Sequence, residues 1–279
     1  MIRALWVQSL RDSALLLCGC CSLLFGFIWF RLWIVSQINF AEAVGLFNKM
    51  LPDFFHKLLP VPIDMIATLE GRVVMGYEEL PVGLLMALWT VTRGTECLAG
   101  RLWDGTLEML LAQPIKRLAL VTSHTGVTLL GVVAMALAAW LGTATGILTV
   151  GFEAETFPRT YLPASINLFA IGVFMTGAAT LVSAIARSRA QAVAFFVGFY
   201  VFEITLKIMG LMAPNLAWLK KMTFLSAYEP TKLTLGCLSD PASYLPLFWL
   251  YTGILVGLGF VALAISATIF CRNDVPAPV

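Results

Sequence analysis

Four ionisable side chains interrupt otherwise apolar stretches, in two close pairs: Arg93 with Glu96 at i, i+3, and Glu203 with Lys207 at i, i+4. Both spacings put the members of a pair on one helix face, where opposite charges meet. A charge at the centre of a bilayer costs about 2.5–3.5 kcal/mol on insertion scales, so such groups pair or serve a pathway. A structural ion pair is the first reading of each, and a polar patch in a translocation path is the second. A proton relay needs acidic groups in several helices, which this sequence lacks.

Residues 101–117 carry a third pattern, R-L-W-D-G-T-L-E-M-L-L-A-Q-P-I-K-R. On a helix, Leu102, Leu107, Leu110 and Leu111 form an apolar flank, with Arg101, Asp104 and Glu108 on a polar one. Gly105 permits close approach or a bend, and Pro114 ends the helix by disfavouring helical geometry before it. By pattern alone this is a loop helix on the membrane surface or a surface for a partner to grip.

Other chemistry is absent from the sequence. No G-x-x-x-x-G-K-[ST] cradles phosphates, and neither H-E-x-x-H nor G-x-S-x-G occurs. His56 and His124 lie far apart, and the spacing of the six cysteines matches no metal motif. The cysteines read as small apolar residues, not as a disulfide framework. A net charge of +2 argues against a nucleic-acid partner.

The elements that hold these groups are membrane helices. Of the 279 residues, 59% are hydrophobic and 12% charged, half the charge of a soluble domain at about 25%. Six spans are predicted, roughly at residues 13–35, 78–98, 118–150, 163–186, 190–213 and 244–271, each near the 20 or so residues a bilayer demands. The first reads as a retained span, not a cleaved signal. Before it, Ile2, Leu5, Trp6 and Leu10 share one face, predicting an interfacial helix. Residues 39–49 and 53–59 predict short interfacial helices in the following loop. The short basic turn at Arg187 and Arg189 places both termini on the cytoplasmic side. Gly142-x-x-x-Gly146 and Gly253-x-x-x-Gly257 predict close helix packing, within one chain before any dimer seam.

Residues 105–117, G-T-L-E-M-L-L-A-Q-P-I-K-R, resemble the G-T-L-E-x-L-L-x-x-P-[IV]-x-R segment of ABC-2-type transporter permeases. The order of first span, Pro-containing loop, second span and acidic Glu96 resembles the subgroup of nitrous-oxide-reductase maturation permeases. A-Y-E-P at residues 227–230 is similar to an aromatic-x-Pro element of the family. Where the family carries E-x-E-x-G-T, this chain has Arg101 and Trp103, and Asp104 alone is acidic.

The resemblance implies an all-α membrane protein: a polytopic bundle of six transmembrane helices with an N-terminal interfacial helix and a cytoplasmic coupling helix between spans two and three. One ABC-2-type transmembrane domain would occupy residues 1–279. It implies the permease subunit of an ATP-binding-cassette exporter in a prokaryotic inner membrane, partnered by ABC ATPase subunits and a second copy of itself or a related permease. ATP and Mg would sit on the ATPase, leaving this chain without catalytic residues, metal or cofactor. Gly105, Thr106, Leu107, Glu108, Leu110, Leu111 and Pro114 would meet the ATPase, with Arg187 beside them. A secondary transporter and a non-transporting membrane assembly factor are the alternatives from other classes.

Overall fold

A bilayer core offers the backbone no water, so a spanning chain satisfies its own amides as helix. The computed structural model describes residues 2–37, 61–62, 65, 67–106, 117–152 and 156–272, and no strand occurs among them. In order come α1 (Ile2–Gln37), α2 (Leu69–Val74), α3 (Leu80–Thr95), α4 (Arg117–Val150), α5 (Leu162–Ile185), α6 (Arg189–Met212), α7 (Ala217–Met222), α8 (Pro230–Ser239) and α9 (Pro241–Arg272). Among the described residues, five helices are long and apolar enough to cross a membrane: α1, α4, α5, α6 and α9. At 16 residues, α3 falls short by itself, but its backbone continues through a π turn, Glu96–Gly100, and a last helical turn, Arg101–Trp103.

Counting α3, successive helices alternate in direction, so that α1 and α4 lie side by side in parallel, Trp6 by Gly126 and Leu32 by Gly146. One end of the bundle, here called the base, holds the start of α1, Trp103, the start of α4, the turn between α5 and α6, and the end of α9. The cap is the other end. Buried inside the bundle is 72% of the most apolar stretch of α5, against 17% for α6 and 22% for α1 and α9. α3, α4, α6 and α9 therefore gather around α5, α1 packs on α4 and α3, and apolar faces turn outward, as lipid allows.

Small residues decide where the helices touch. Cys20, Leu24, Ile28, Leu32 and Val35 recur at three- and four-residue steps on the buried face of α1. Opposite them, a Cβ at Gly142 would lie 2.8 Å from the Phe25 carbonyl oxygen, and one at Gly146 would lie 2.5 Å from Leu32 Cδ1. The fully buried Trp89 of α3 lies over Gly131 of α4 and donates its indole N–H to the Thr128 carbonyl at 3.0 Å.

Three expectations meet the structure differently. The N-terminal interfacial helix is not a separate element, because α1 is one unbroken helix of 36 residues from Ile2. Nothing breaks it near Asp12, and a helix of roughly 54 Å is long enough to cross and overhang. Gly142 and Gly146 form an intramolecular seam, but Gly253 and Gly257 have no atom within 4 Å of an added Cβ; α9 instead approaches α5 through Gly259. A single helix running on from Arg101 is excluded by Gly105, whose φ of +68° ends the turn at Trp103, and Thr106 is helical again beyond it. The loop helices expected at 39–49 and 53–59 lie outside the described residues, as do Leu107, Glu108, Leu110, Leu111 and Pro114. The six cysteines are free.

Candidate functional site

At the base, α3 delivers Arg93 into the space between α1 and α4. Its guanidinium is 3% exposed and donates through Nη2 to Ser9 Oγ at 2.5 Å, while Nη1 lies 3.4 Å from Glu96 Oε2. His124 of α4 is also buried, its Nε2 lying 2.8 Å from the Arg93 carbonyl oxygen. A carbonyl only accepts, so Nε2 carries the proton. Nδ1 is then free to accept from Arg101 Nη2 at 3.2 Å and Arg93 Nη2 at 3.4 Å. The Arg93–Glu96 pair expected from spacing is therefore made, inside a larger network that ties α1, α3 and α4 together. A cavity of about 390 Å³ opens beside it, lined by Ser9, Asp12, Glu96, Arg101, Asp104 and Thr106.

The π turn is held from the side by α5. Ser183 Oγ accepts from the Leu98 N–H at 3.2 Å and the Ala99 N–H at 2.9 Å, and donates to the Thr95 carbonyl at 3.0 Å. One turn further along, Arg187 is exposed, its N–H donating to Gln191 Oε1 at 3.2 Å, and Ser188 caps α6 by accepting from the Gln191 N–H. Gly105, Thr106 and Arg187 thus lie at one end of the bundle.

Between α3 and α6 runs a groove of about 650 Å³. Gly83, Leu84, Leu88 and Val91 line one wall, and Val193, Phe196 and Val197 the other. Its polar groups sit at its two ends, Arg189 toward the base and Glu78, Lys207 and Tyr228 toward the cap.

Glu203 and Lys207 do not form the expected pair. Lys207 Nζ donates to the Leu225 carbonyl at 2.7 Å, because the segment after α6 folds back along the helix and brings a carbonyl within reach. Glu203 is buried, and its Oε2 has no partner among the described residues.

The cap closes over the groove with its own charges. Glu229, 5% exposed, lies 3.0 Å from both Lys220 and Lys232. Burial would raise its carboxyl, but the hydrogen bonds from the two ammonium groups prevail and hold it below the ordinary value. Burial would likewise lower Lys232, yet Glu229 raises it. Glu78 Oε1 accepts from the Thr231 N–H at 3.0 Å, Tyr228 donates to the Tyr77 carbonyl at 2.5 Å, and Arg31 pairs with Glu79. Residues 227–230 are therefore tied into the cap: Ala227 accepts from Asn167 of α5, and Pro230 opens α8.

Sequence reasoning missed Ser9, His124, Ser183 and the lysines around Glu229. Ser9, His124 and Ser183 act across long sequence separations, so local spacing carries no signal of them, whereas Lys232 lies only three residues from Glu229. The one cue was chemical: a His and a Ser within apolar helices need partners.

Long apolar helices packed around one central helix, with polar clusters at both ends, define a multi-pass membrane protein. Residues 30–275 match the family model described as ABC-2 family transporter protein, and the chain belongs to that family. The match does not single out the nitrous-oxide-reductase maturation subgroup. A search of the curated proteins finds no match.

Proposed function

We propose that this chain is the membrane-spanning permease subunit of an ABC exporter, crossing six times with α3 as the second span and with the base in the cytoplasm. Separate ATPase subunits holding ATP and Mg would bind residues 105–114 and the turn at Arg187. One observation carries the reading: α3 continues through its π turn to the base and reaches the left-handed Gly105, where the G-T-L-E segment begins, beside the start of α4. A segment gripped there pulls on a helix that lines the groove. The groove between α3 and α6 is then one wall of the translocation path, and two copies of the chain would complete it. The largely exposed apolar faces of α1, α6 and α9 support such a pairing.

The test is Leu107→Arg combined with Glu108→Arg in the full-length protein. The expected result is loss of ATPase co-purification and of ATP-dependent transport, with the permease still folded and in the membrane. Intact ATPase binding in that variant would sink the proposal.

A further inference from the structure

In an α-helix the Ala99 N–H bonds to the Thr95 carbonyl. Here the Ser183 hydroxyl stands inside that bond, accepting from the Ala99 N–H at 2.9 Å and donating to the Thr95 carbonyl at 3.0 Å. It also takes the Leu98 N–H at 3.2 Å. A side chain inserted into a helix ladder in this way is a recognised cause of a local break in helical register. It explains why α3 passes into a π turn at Glu96 and not one residue earlier or later. Two residues before the turn, Gly94 lies so near Ala179 of α5 that an added Cβ would come within 2.5 Å of the Ala179 Cβ.

The π turn is also where the base converges. Cys97 and Leu98 pack with Leu120 and Val121 of α4 and Phe270 of α9, while Ala99 packs with Ala186 and Ala192 on either side of the α5–α6 turn. Ser183 lies four residues before Arg187, and the π turn ends five residues before Gly105.

We infer that Ser183 is a positioning residue for coupling: it fastens the π turn at the end of α3, which leads to Gly105, to α5 just before the α5–α6 turn, so that a push on the end of either helix moves α5 and α3 as one body. The inference rests on the ATP-coupled reading above. It directs force first to α5, the central helix of the bundle, and not along α3 alone. Without the hydroxyl, the Ala99 N–H can return to Thr95, the π turn rewinds toward α, and the segment after it rotates away from its partner turn.

The test compares wild type, Ser183→Ala and Ser183→Thr, which keeps the hydroxyl. In the detergent-solubilised full chain, amide exchange at Leu98 and Ala99 is expected to change by about tenfold in Ser183→Ala and to return to within about threefold in Ser183→Thr. In the complex with the co-purifying ATPase, Ser183→Ala should hydrolyse ATP within about twofold of wild type. The ATP-dependent change in exchange at the groove residues 80–91 should fall at least about fivefold in Ser183→Ala, with Ser183→Thr restoring it. A Ser183→Ala protein that keeps the full ATP-dependent change overturns the inference alone. A wild-type protein that binds no ATPase overturns the functional reading and the inference with it.

Discussion

Gly177 of α5 and Gly259 of α9 meet backbone to backbone. A Cβ at Gly177 would lie 2.2 Å from the Gly259 carbonyl oxygen, and a Cβ at Gly259 would lie 2.8 Å from that of Val173. Backbone cannot swing aside as a long side chain does, so the helices must separate to admit even a methyl group. Gly177→Ala is expected to destabilise the protein by about 3 kcal/mol, at the upper end for overpacking. Gly253→Ala and Gly257→Ala, which meet nothing inside α9, should be neutral or stabilise by up to about 1 kcal/mol, since Ala is the better helix former. Thermal melting in detergent separates the two groups, and equal melting of Gly177→Ala and Gly253→Ala would refute the seam.

The base network depends on one neutral ring. His124 holds the Arg93 carbonyl with Nε2 and offers Nδ1 to two guanidinium groups. His124→Phe keeps an aromatic ring, somewhat larger, and removes both functions, leaving a buried donor on Arg93 and a half-buried one on Arg101 without this acceptor. The expected cost is about 2–3 kcal/mol, the range for hydrogen bonds to charged groups left unmade. Ser9→Ala removes one further acceptor from Arg93 and should cost about 1–2 kcal/mol. Because the two share Arg93, the double variant is expected to deviate from additivity by more than about 0.5 kcal/mol. Strict additivity in melting experiments would show that the groups act independently.

The cap has a defined pH response. Glu229 is held below the ordinary carboxyl value of 4.5, so its contribution is present above that value and is lost as pH falls through the lower, folded value. Lys232 is held above 10.5, so its contribution is present below that value and is lost as pH rises through the higher, folded value. Between about pH 5 and 10 Glu229 and Lys232 add no slope to stability. Glu229→Gln is expected to cost about 2 kcal/mol at neutral pH, a figure reduced for the partly exposed ammonium groups. It should also flatten the acid limb of a plot of melting temperature against pH. An unchanged acid limb would mean that Glu229 is not the titrating group.

Much of this was legible because lipid imposes few solutions. Composition and run length mark the long helices, and the G-T-L-E segment marks the family, because both signals are local. The close approach of Gly142 and Gly146 was also legible, since a four-residue step puts small residues on one face. The same pattern at Gly253 and Gly257 misled: in lipid both faces of α9 are apolar, so composition does not say which one packs. Ser183 lies 84 residues beyond Ala99 and gave no local sign that it would enter the ladder of α3. Continuity of α1 was hidden by Arg3 and Arg11, which look like an interfacial boundary but sit on a helix long enough to overhang.

Glu203 and Lys207 test most directly how far spacing can be trusted. An i, i+4 pair that met in the structure would show a coupling energy in a double-mutant cycle. Here Lys207 is committed to the Leu225 carbonyl at 2.7 Å, and Glu203 Oε2 faces no partner among the described residues. Lys207→Met should cost about 1.5–3 kcal/mol, because the carbonyl of the returning segment loses a charged donor. Glu203→Gln should be neutral or stabilising, since it removes an unmatched carboxylate from a buried site. The cycle of Glu203→Gln with Lys207→Met is then expected to give a coupling below about 0.5 kcal/mol. A coupling well above that, measured by thermal melting of the four proteins in one detergent, would restore the pair that spacing alone suggests.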